Sequence, residues 1–220
     1  MSTDQRSALV LVAHADDESL GCGGTIPKLV RDGWDVQVVI FSDGLISTRP
    51  GEAQDNSADA LAACAVLGVA PPTVLGFRDQ LFDTVPMAEL ANAAGSLGLE
   101  PDLILTHAPT DLNKDHRLVA EVAKIIGRPR RRPVSILGCE VPGTTMWNGT
   151  VFPGDFYVDI TDTLQTKLDA FACYANEVQE PPGSWSLQGI ELLARYHGMQ
   201  VGVGAAEAFT VIRAMGGLLP

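Results

Sequence analysis

Cysteine is scarce in this 220-residue chain: four are present, Cys22, Cys64, Cys139 and Cys173, and no two form a C-x-x-C pair. Four could close two bridges, but the opening "MSTDQRS" is polar and runs directly into an apolar segment, without the hydrophobic core of a signal peptide. Reduced, mostly buried thiols and a cytoplasmic setting are therefore expected. Positive charge is scarce too. Lys and Arg number 15 against 27 Asp and Glu, a net charge of −12, which excludes nucleic acid and anionic membrane surfaces as partners, because phosphate needs clustered cations. The one basic run, "GRPRRRP" (127–133), carries two prolines and reads as a solvated connection. No apolar run reaches the roughly 18 residues of a membrane span. Internal repeats, low-complexity tracts and long linkers are also missing, so residues 1–220 are expected to form a single domain.

What the chain does have is a core. Hydrophobic residues make up 46%, too many for a disordered polymer. "ALVLVA" (8–13) and "VQVVIF" (36–41) are short, apolar throughout and rich in β-branched residues, as parallel strands covered on both faces should be. Further strands are expected at 73–77, 101–107, 134–140, 156–160 and 208–214. Helical patterns occupy 18–32, 52–68, 86–98, 115–127, 162–176 and 185–197, with Gly68 and Gly127 as stops. Within the first of these, Pro27 marks either a kink or a new helix capped by Thr25. This alternation predicts an α/β fold: a mostly parallel sheet with helices on both faces.

In such sheets ligands bind outside the carboxyl ends of the strands. "HADDE" (14–18), "FSDG" (41–44), "GFRD" (76–79) and "THAPTDLNKDH" (106–116) all follow strands there. A catalytic divalent ion needs about three protein ligands and one open position. His14 and Asp17, three apart where a helix can begin, point the same way. A third ligand must come from another strand end, and His107 and His116 both qualify; His116, opening a helix behind Asp115, is the better placed. Two nitrogens and a carboxylate suit zinc, with iron(II) or manganese as alternatives. Asp16 cannot share its neighbour's direction, so it flanks the open position as a general base for an attacking water. The pattern is that of metal-assisted hydrolysis. "GCGG" (21–24) lacks the G-x-G-x-x-G spacing of a nucleotide loop, and close packing of a helix on a strand explains its glycines better.

With these residues in place, the sequence resembles the PIG-L/LmbE-like family of zinc-dependent N-acetylglucosaminyl deacetylases. The family's A-H-P-D-D-E signature and following G-x-G-G stand here as Ala13 to Glu18 and Gly21 to Gly24; its second signature, ending in D-H, matches "DLNKDHR" (111–117). "GFRD", "CEVPGTTMWN" (139–148), "YVDI" (157–160) and "YHGMQVGVGAAEAF" (196–209) add further matches. The resemblance implies a Rossmann-like three-layer α/β/α domain that removes an N-acyl group from an amino sugar in a small-molecule conjugate. It implies His14, Asp17 and His116 as Zn2+ ligands and Asp16 as general base. It further implies Asp115 as a carboxylate orienting a neighbour and Asp79 as a receiver of sugar hydroxyls.

Three departures matter. Ala15 replaces the usual proline. Asn113 stands where many members carry a second histidine; it can donate a hydrogen bond but deliver no proton, so Asp16 makes both transfers or His107 or His197 substitutes. Asn56 stands where members tend to carry a substrate-gripping arginine, for which Arg49 or Arg78 would compensate. Glu207 is expected either to pair with Arg195 or Arg213 or to meet substrate. Two other readings remain: an amidase acting on a non-sugar acyl group, and a metal- or nucleotide-binding module without catalysis. The apolar "MGGLLP" (215–220) suits either a homo-oligomer interface or a packed end.

Overall fold

The first strand, β1 (Ser7–Val12), is buried over its last five residues, and its alternation divides the interior. Ala8, Val10 and Val12 enter one core, whereas Leu9, Leu11 and the following Ala13 enter another. That is the period of two expected of a strand covered on both faces. In the computed structural model, which describes residues 5–46, 54–129, 132–217 and 219–220, eight further strands follow. These are β2 (Asp35–Ser42), β3 (Leu45–Ile46), β4 (Gln54–Asp55), β5 (Thr73–Phe77), β6 (Leu103–His107), β7 (Ser135–Cys139), β8 (Phe156–Asp159) and β9 (Ala206–Arg213). Seven of the nine form one sheet in the order β5-β2-β1-β6-β7-β9-β8, and β3 pairs with β4 apart from it. The sheet is parallel from β5 to β7, and β9 runs antiparallel between β7 and β8.

Helices α1 (Asp17–Cys22), α2 (Thr25–Arg31) and α3 (Ser57–Leu67) cover the face of Val10, and α4 (Met87–Gly95) and α5 (Lys114–Ile126) cover the face of Leu11. The last two, α6 (Leu164–Ala172) and α7 (Leu187–Val201), return to the first face. The fold is the mostly parallel α/β sandwich expected. Among the described residues no helix is long and apolar enough to cross a membrane. The thiols of Cys22, Cys64 and Cys139 are free and buried, and that of Cys173 is free and half-buried.

Two local expectations need correction. The pattern at 18–32 is two helices, α1 and α2, the second of the alternatives at Pro27, but the residue flanking α2 is Gly24, not Thr25. Capping comes from far away. The Glu207 carboxylate on β9 accepts the Gly24 N–H at 2.9 Å, the Thr25 N–H at 2.7 Å and the Thr25 hydroxyl at 2.6 Å. Lys167 of α6 donates to the same carboxylate at 2.5 Å and to the Leu20 carbonyl at 2.6 Å. Glu207 therefore pairs with neither Arg195 nor Arg213. An anionic side chain at orphan helix N–H groups is favoured by both hydrogen bonding and the helix dipole.

The glycines of "GCGG" act through size, as expected. A Cβ on Gly21 would meet the Cys139 thiol, and one on Gly24 would lie 2.7–2.8 Å from three atoms of Ile160. Gly24→Ala is expected to lose about 1–3 kcal/mol of stability through overpacking, read by urea denaturation. Adding Ile160→Ala should cost less in that background than in the wild type, because the clash is then relieved; equal costs would mean that the contact does not limit the site.

Strands β1 and β6 are neighbours at the point where the strand order reverses. Side chains after their carboxyl ends meet in one crevice.

Candidate metal centre

The crevice is fixed from beneath by His107, the last residue of β6. Its Nε2 accepts the Ala13 N–H at 2.9 Å, so its proton sits on Nδ1, which has no partner among the described residues. The ring is fully buried and stacks on His116 at 3.9 Å. Burial, reinforced by His116, pushes its pKa down to about 3. A ring nitrogen already taken by a backbone N–H is a poor ligand. Of the two histidines the sequence offered, the geometry favours His116.

His14 follows directly, and its own N–H donates to Asp17 Oδ2 at 2.8 Å, folding the α1 carboxylate back beneath the imidazole. His14 Nδ1 lies 3.2 Å from His116 Nε2 and 3.4 Å from Asp17 Oδ2, and His116 Nε2 lies 3.4 Å from Asp17 Oδ1. One donor atom from each of the three residues lies within 4.8 Å of the others. Two imidazole nitrogens and a carboxylate, converged and largely buried, fit a divalent transition metal.

The far nitrogens fit as well. His116 Nδ1 donates to Asp111 Oδ2 at 3.0 Å, and that carboxylate also accepts the Thr144 hydroxyl at 2.9 Å and the Asn113 N–H at 2.8 Å. His14 Nε2 faces Asp115 Oδ2 at 3.2 Å and Asp79 Oδ1 at 3.1 Å. Two other convergent groups, His107 with Asp111 and His116, and His14 with Asp79 and Asp115, are built on these outer partners, which turn each ring's free nitrogen inward. The charges agree. Burial opposes the His14 imidazolium, but Asp115, Asp17 and Asp79 outweigh it and push its pKa up to about 10. Asp17, though buried, is held below the ordinary carboxylate range by His116 and His107. Asp111→Asn is expected to weaken metal affinity about 10–100-fold, measured by competition with a chelator; unchanged affinity would remove Asp111 from the assembly.

Asp16 stands where α1 starts, at φ 129° and ψ −29°, a backbone strain of about 1–3 kcal/mol for a residue with a Cβ. Its N–H donates to Glu18 Oε2 at 3.1 Å, and Glu18 Oε1 accepts the Ser19 hydroxyl at 2.6 Å and the Tyr174 hydroxyl at 2.8 Å. The buried Glu18 thus clamps the strained turn. The Asp16 carboxylate makes no capping bond and lines the cavity beside His14 and Asp17. Burial, together with the charges of Asp17, Glu18 and Glu177, raises its pKa well above the ordinary value.

The cavity holds about 130 Å³ and is walled by Asn56, Asp79, Gln80, Asn113, Thr144, Glu177 and Trp185 as well as the triad. A larger hollow of about 690 Å³ opens at the amino ends of β6 and β7, but no histidine lines it, so the chemistry points to the smaller one. Asn113 precedes α5, and its side-chain oxygen accepts the Asp115 N–H at 2.9 Å, which leaves its NH2 as the group able to face a ligand. Asn56 flanks α3 without capping it; its NH2 donates to Glu177 at 3.3 Å, and its oxygen is buried without a partner among the described residues.

Two expected substrate residues fall elsewhere, and a third is not described. Arg78 is exposed and does not line the cavity. His197 is bound by Glu140 at 2.5 Å and Gln200 at 2.9 Å, also away from it. Arg49 lies outside the described residues. Glu18, Asp111 and Glu177 escaped the sequence reading. Asp111, five residues before His116, was within reach as a carboxylate in the same loop; Glu177 had no local signal.

Known proteins bear on the same residues. Residues 9–126 match the family described as PIG-L, GlcNAc-PI de-N-acetylase. Diacetylchitobiose deacetylase of Thermococcus kodakarensis is 26% identical over 229 residues, covering 95% of this chain and 84% of that protein. 4-Oxalmesaconate hydratase of Pseudomonas putida is 27% identical over 206 residues, covering 80% and 76%. The crystal structure of N,N'-diacetylchitobiose deacetylase from Pyrococcus horikoshii matches with a TM-score of 0.77 at 20% identity, over 95% of this chain and 84% of that one. At that identity the likeness is one of fold.

Proposed function

This chain belongs to the PIG-L family, and we propose that it is a zinc-dependent hydrolase, one domain over residues 1–220, that removes an N-acetyl group from an N-acetylglucosamine-type sugar in a small-molecule conjugate. The observation that carries the reading is the convergence of His14, Asp17 and His116 donor atoms beside the cavity-facing Asp16. These three side chains would hold the ion, and when bound it supplies Lewis acidity toward a carbonyl and lowers the pKa of water to about 7.

The remaining work falls to the protein. Asp16 takes the proton of the attacking water; burial raises its proton affinity above that of an ordinary carboxylate, the direction that strengthens a base. The hydroxyl oxygen adds to the amide carbon, the C–N bond breaks, and the proton held by Asp16 passes to the departing nitrogen. Acetate and the free amine result. Asn113 donates a hydrogen bond from its NH2 and steadies the carbonyl oxygen without contributing a proton. Asp115 and Asp111 keep the His14 and His116 rings turned toward one another. Asp79, beside His14 and Gln80 on the cavity wall, receives sugar hydroxyls.

The test is amine release from N-acetylglucosamine, N,N'-diacetylchitobiose and simple N-acetyl amines, by protein loaded in turn with zinc, iron(II) and manganese. Release from the acetamido sugars, fastest with zinc, is expected. Faster cleavage of the simple amines would replace the sugar with a general acyl amine. No amine from any substrate would overturn hydrolysis, as would be the case if the chain were a hydratase, as its Pseudomonas putida relative is named.

A further inference from the structure

Arg117 follows His116 on α5, just behind the first turn of the helix, where the helix dipole disfavours a positive side chain. Lys114, nearer the same end, is balanced by Asp83 at 2.7 Å. Arg117 turns its donors to the backbone. Its Nη1 donates to the Asp111 carbonyl at 2.5 Å and to the Leu112 carbonyl at 2.6 Å, and its own N–H donates to the Asn113 carbonyl at 3.3 Å. One residue therefore holds three successive carbonyls, 111 to 113. The first two precede α5 and its flanking Asn113, so they need a partner from outside the helical ladder.

The turn held in this way carries two side chains of the site. Asp111, 1% exposed, faces His116 Nδ1 at 3.0 Å, and Asn113 lines the cavity. On its other side the turn is fastened to the loop after β7. The Leu112 N–H donates to the Thr144 carbonyl at 3.1 Å, and the Thr144 hydroxyl donates to Asp111 Oδ2 at 2.9 Å. Those contacts would hold the turn in place without Arg117, but in register with a neighbouring loop. Arg117 ties it to the helix that carries His116.

We propose that Arg117 is a positioning residue for the metal centre. By tying the Asp111 and Leu112 carbonyls to α5, it keeps the Asp111 carboxylate within hydrogen-bonding distance of His116 Nδ1, and so keeps His116 Nε2 turned toward His14 and Asp17. The proposal rests on the zinc-dependent reading and adds to it a residue that does not line the cavity. A ligand whose outer hydrogen bond is loosened binds its ion less well, because the ring must be ordered again each time the ion arrives. Asp111 is the intermediary, so Arg117 matters only while there is a carboxylate to place.

The experiment measures the zinc affinity of the full-length chain by competition with a chelator, in a double-mutant cycle. Arg117→Gln is expected to weaken zinc binding about tenfold, within the range for loss of an outer partner. Arg117→Lys, which keeps donors at the end of a long stem, should stay within about threefold of the wild type. In the Asp111→Ala background the Arg117→Gln loss should shrink to about twofold or less. In metal-free protein, amide hydrogen exchange at Leu112 and Asn113 should quicken about tenfold in Arg117→Gln. If Arg117→Gln does not fold, Arg117→Met, which keeps an unbranched stem without donors, carries the same expectations. Wild-type affinity in the folded variant overturns the proposal even if Tm falls, because a merely structural tie moves stability alone. An equal loss in both backgrounds overturns it too, since Arg117 would then act without Asp111. None of these readings involves turnover. If the cycle holds and no acetamide is cleaved, the positioning role stands and the deacetylase reading falls; if amine is released and affinity is untouched, the reverse holds.

Discussion

Asp16→Asn is expected to lower turnover by about 10²–10⁴-fold, the range for loss of a general base, while metal content stays at the wild-type level. Asparagine has nearly the same volume and keeps the N–H that Glu18 accepts at 3.1 Å, so the turn at φ 129° is retained. The three convergent donor atoms belong to His14, Asp17 and His116, and none of them is touched. What disappears is a cavity carboxylate adjacent to the convergent triad that caps nothing in α1. Measured as kcat for amine release beside metal analysis of the same preparation, this separates chemistry from binding. Turnover at the wild-type level would exclude Asp16 as the base, and metal loss would place it among the ligands.

His116→Ala is expected to abolish activity by the opposite route. It removes a nitrogen donor and leaves the buried Asp111 carboxylate without its imidazole partner, so both affinity and stability suffer. Metal content should fall well below one ion per chain. In the wild type, an ion present at 100 times its Kd should stabilise the fold by about 2.7 kcal/mol, seen as a rise in Tm; in His116→Ala that rise should vanish. An undiminished rise would show that the ion binds elsewhere.

The strands and the strand-end loops were legible because they are local. β-Branched runs buried on both faces announce a parallel sheet, and a histidine and aspartate three apart can be placed together from spacing alone. His116 could be named because it opens a helix after an adjacent strand, although only the tertiary fold decides between it and His107, whose Nε2 turns out to hold the Ala13 N–H. Long-range partners were not legible. Glu207 could have met any of several arginines by sequence; it instead reaches residues about 180 positions away. Glu177 and Asn56 meet across 121 positions, and no periodicity links a turn after α6 to the start of α3. His197 failed as a cavity residue for the same reason: a helix-end histidine is claimed by whichever carboxylate packs against it, here Glu140. The new helix at α2 was among the readings of Pro27, but its cap was not: Thr25 is a plausible one by sequence, whereas the true acceptor comes from β9.

The Glu207 contact has a bearing on the order of assembly. The bend that presents Asp16 and Asp17 is continuous with α1 and the start of α2, and that start is tied down by a residue of β9. During synthesis, the first loop leaves the ribosome long before residues 206–213 exist to fasten it. The last fastening of that loop therefore depends on the antiparallel strand seated between β7 and β8.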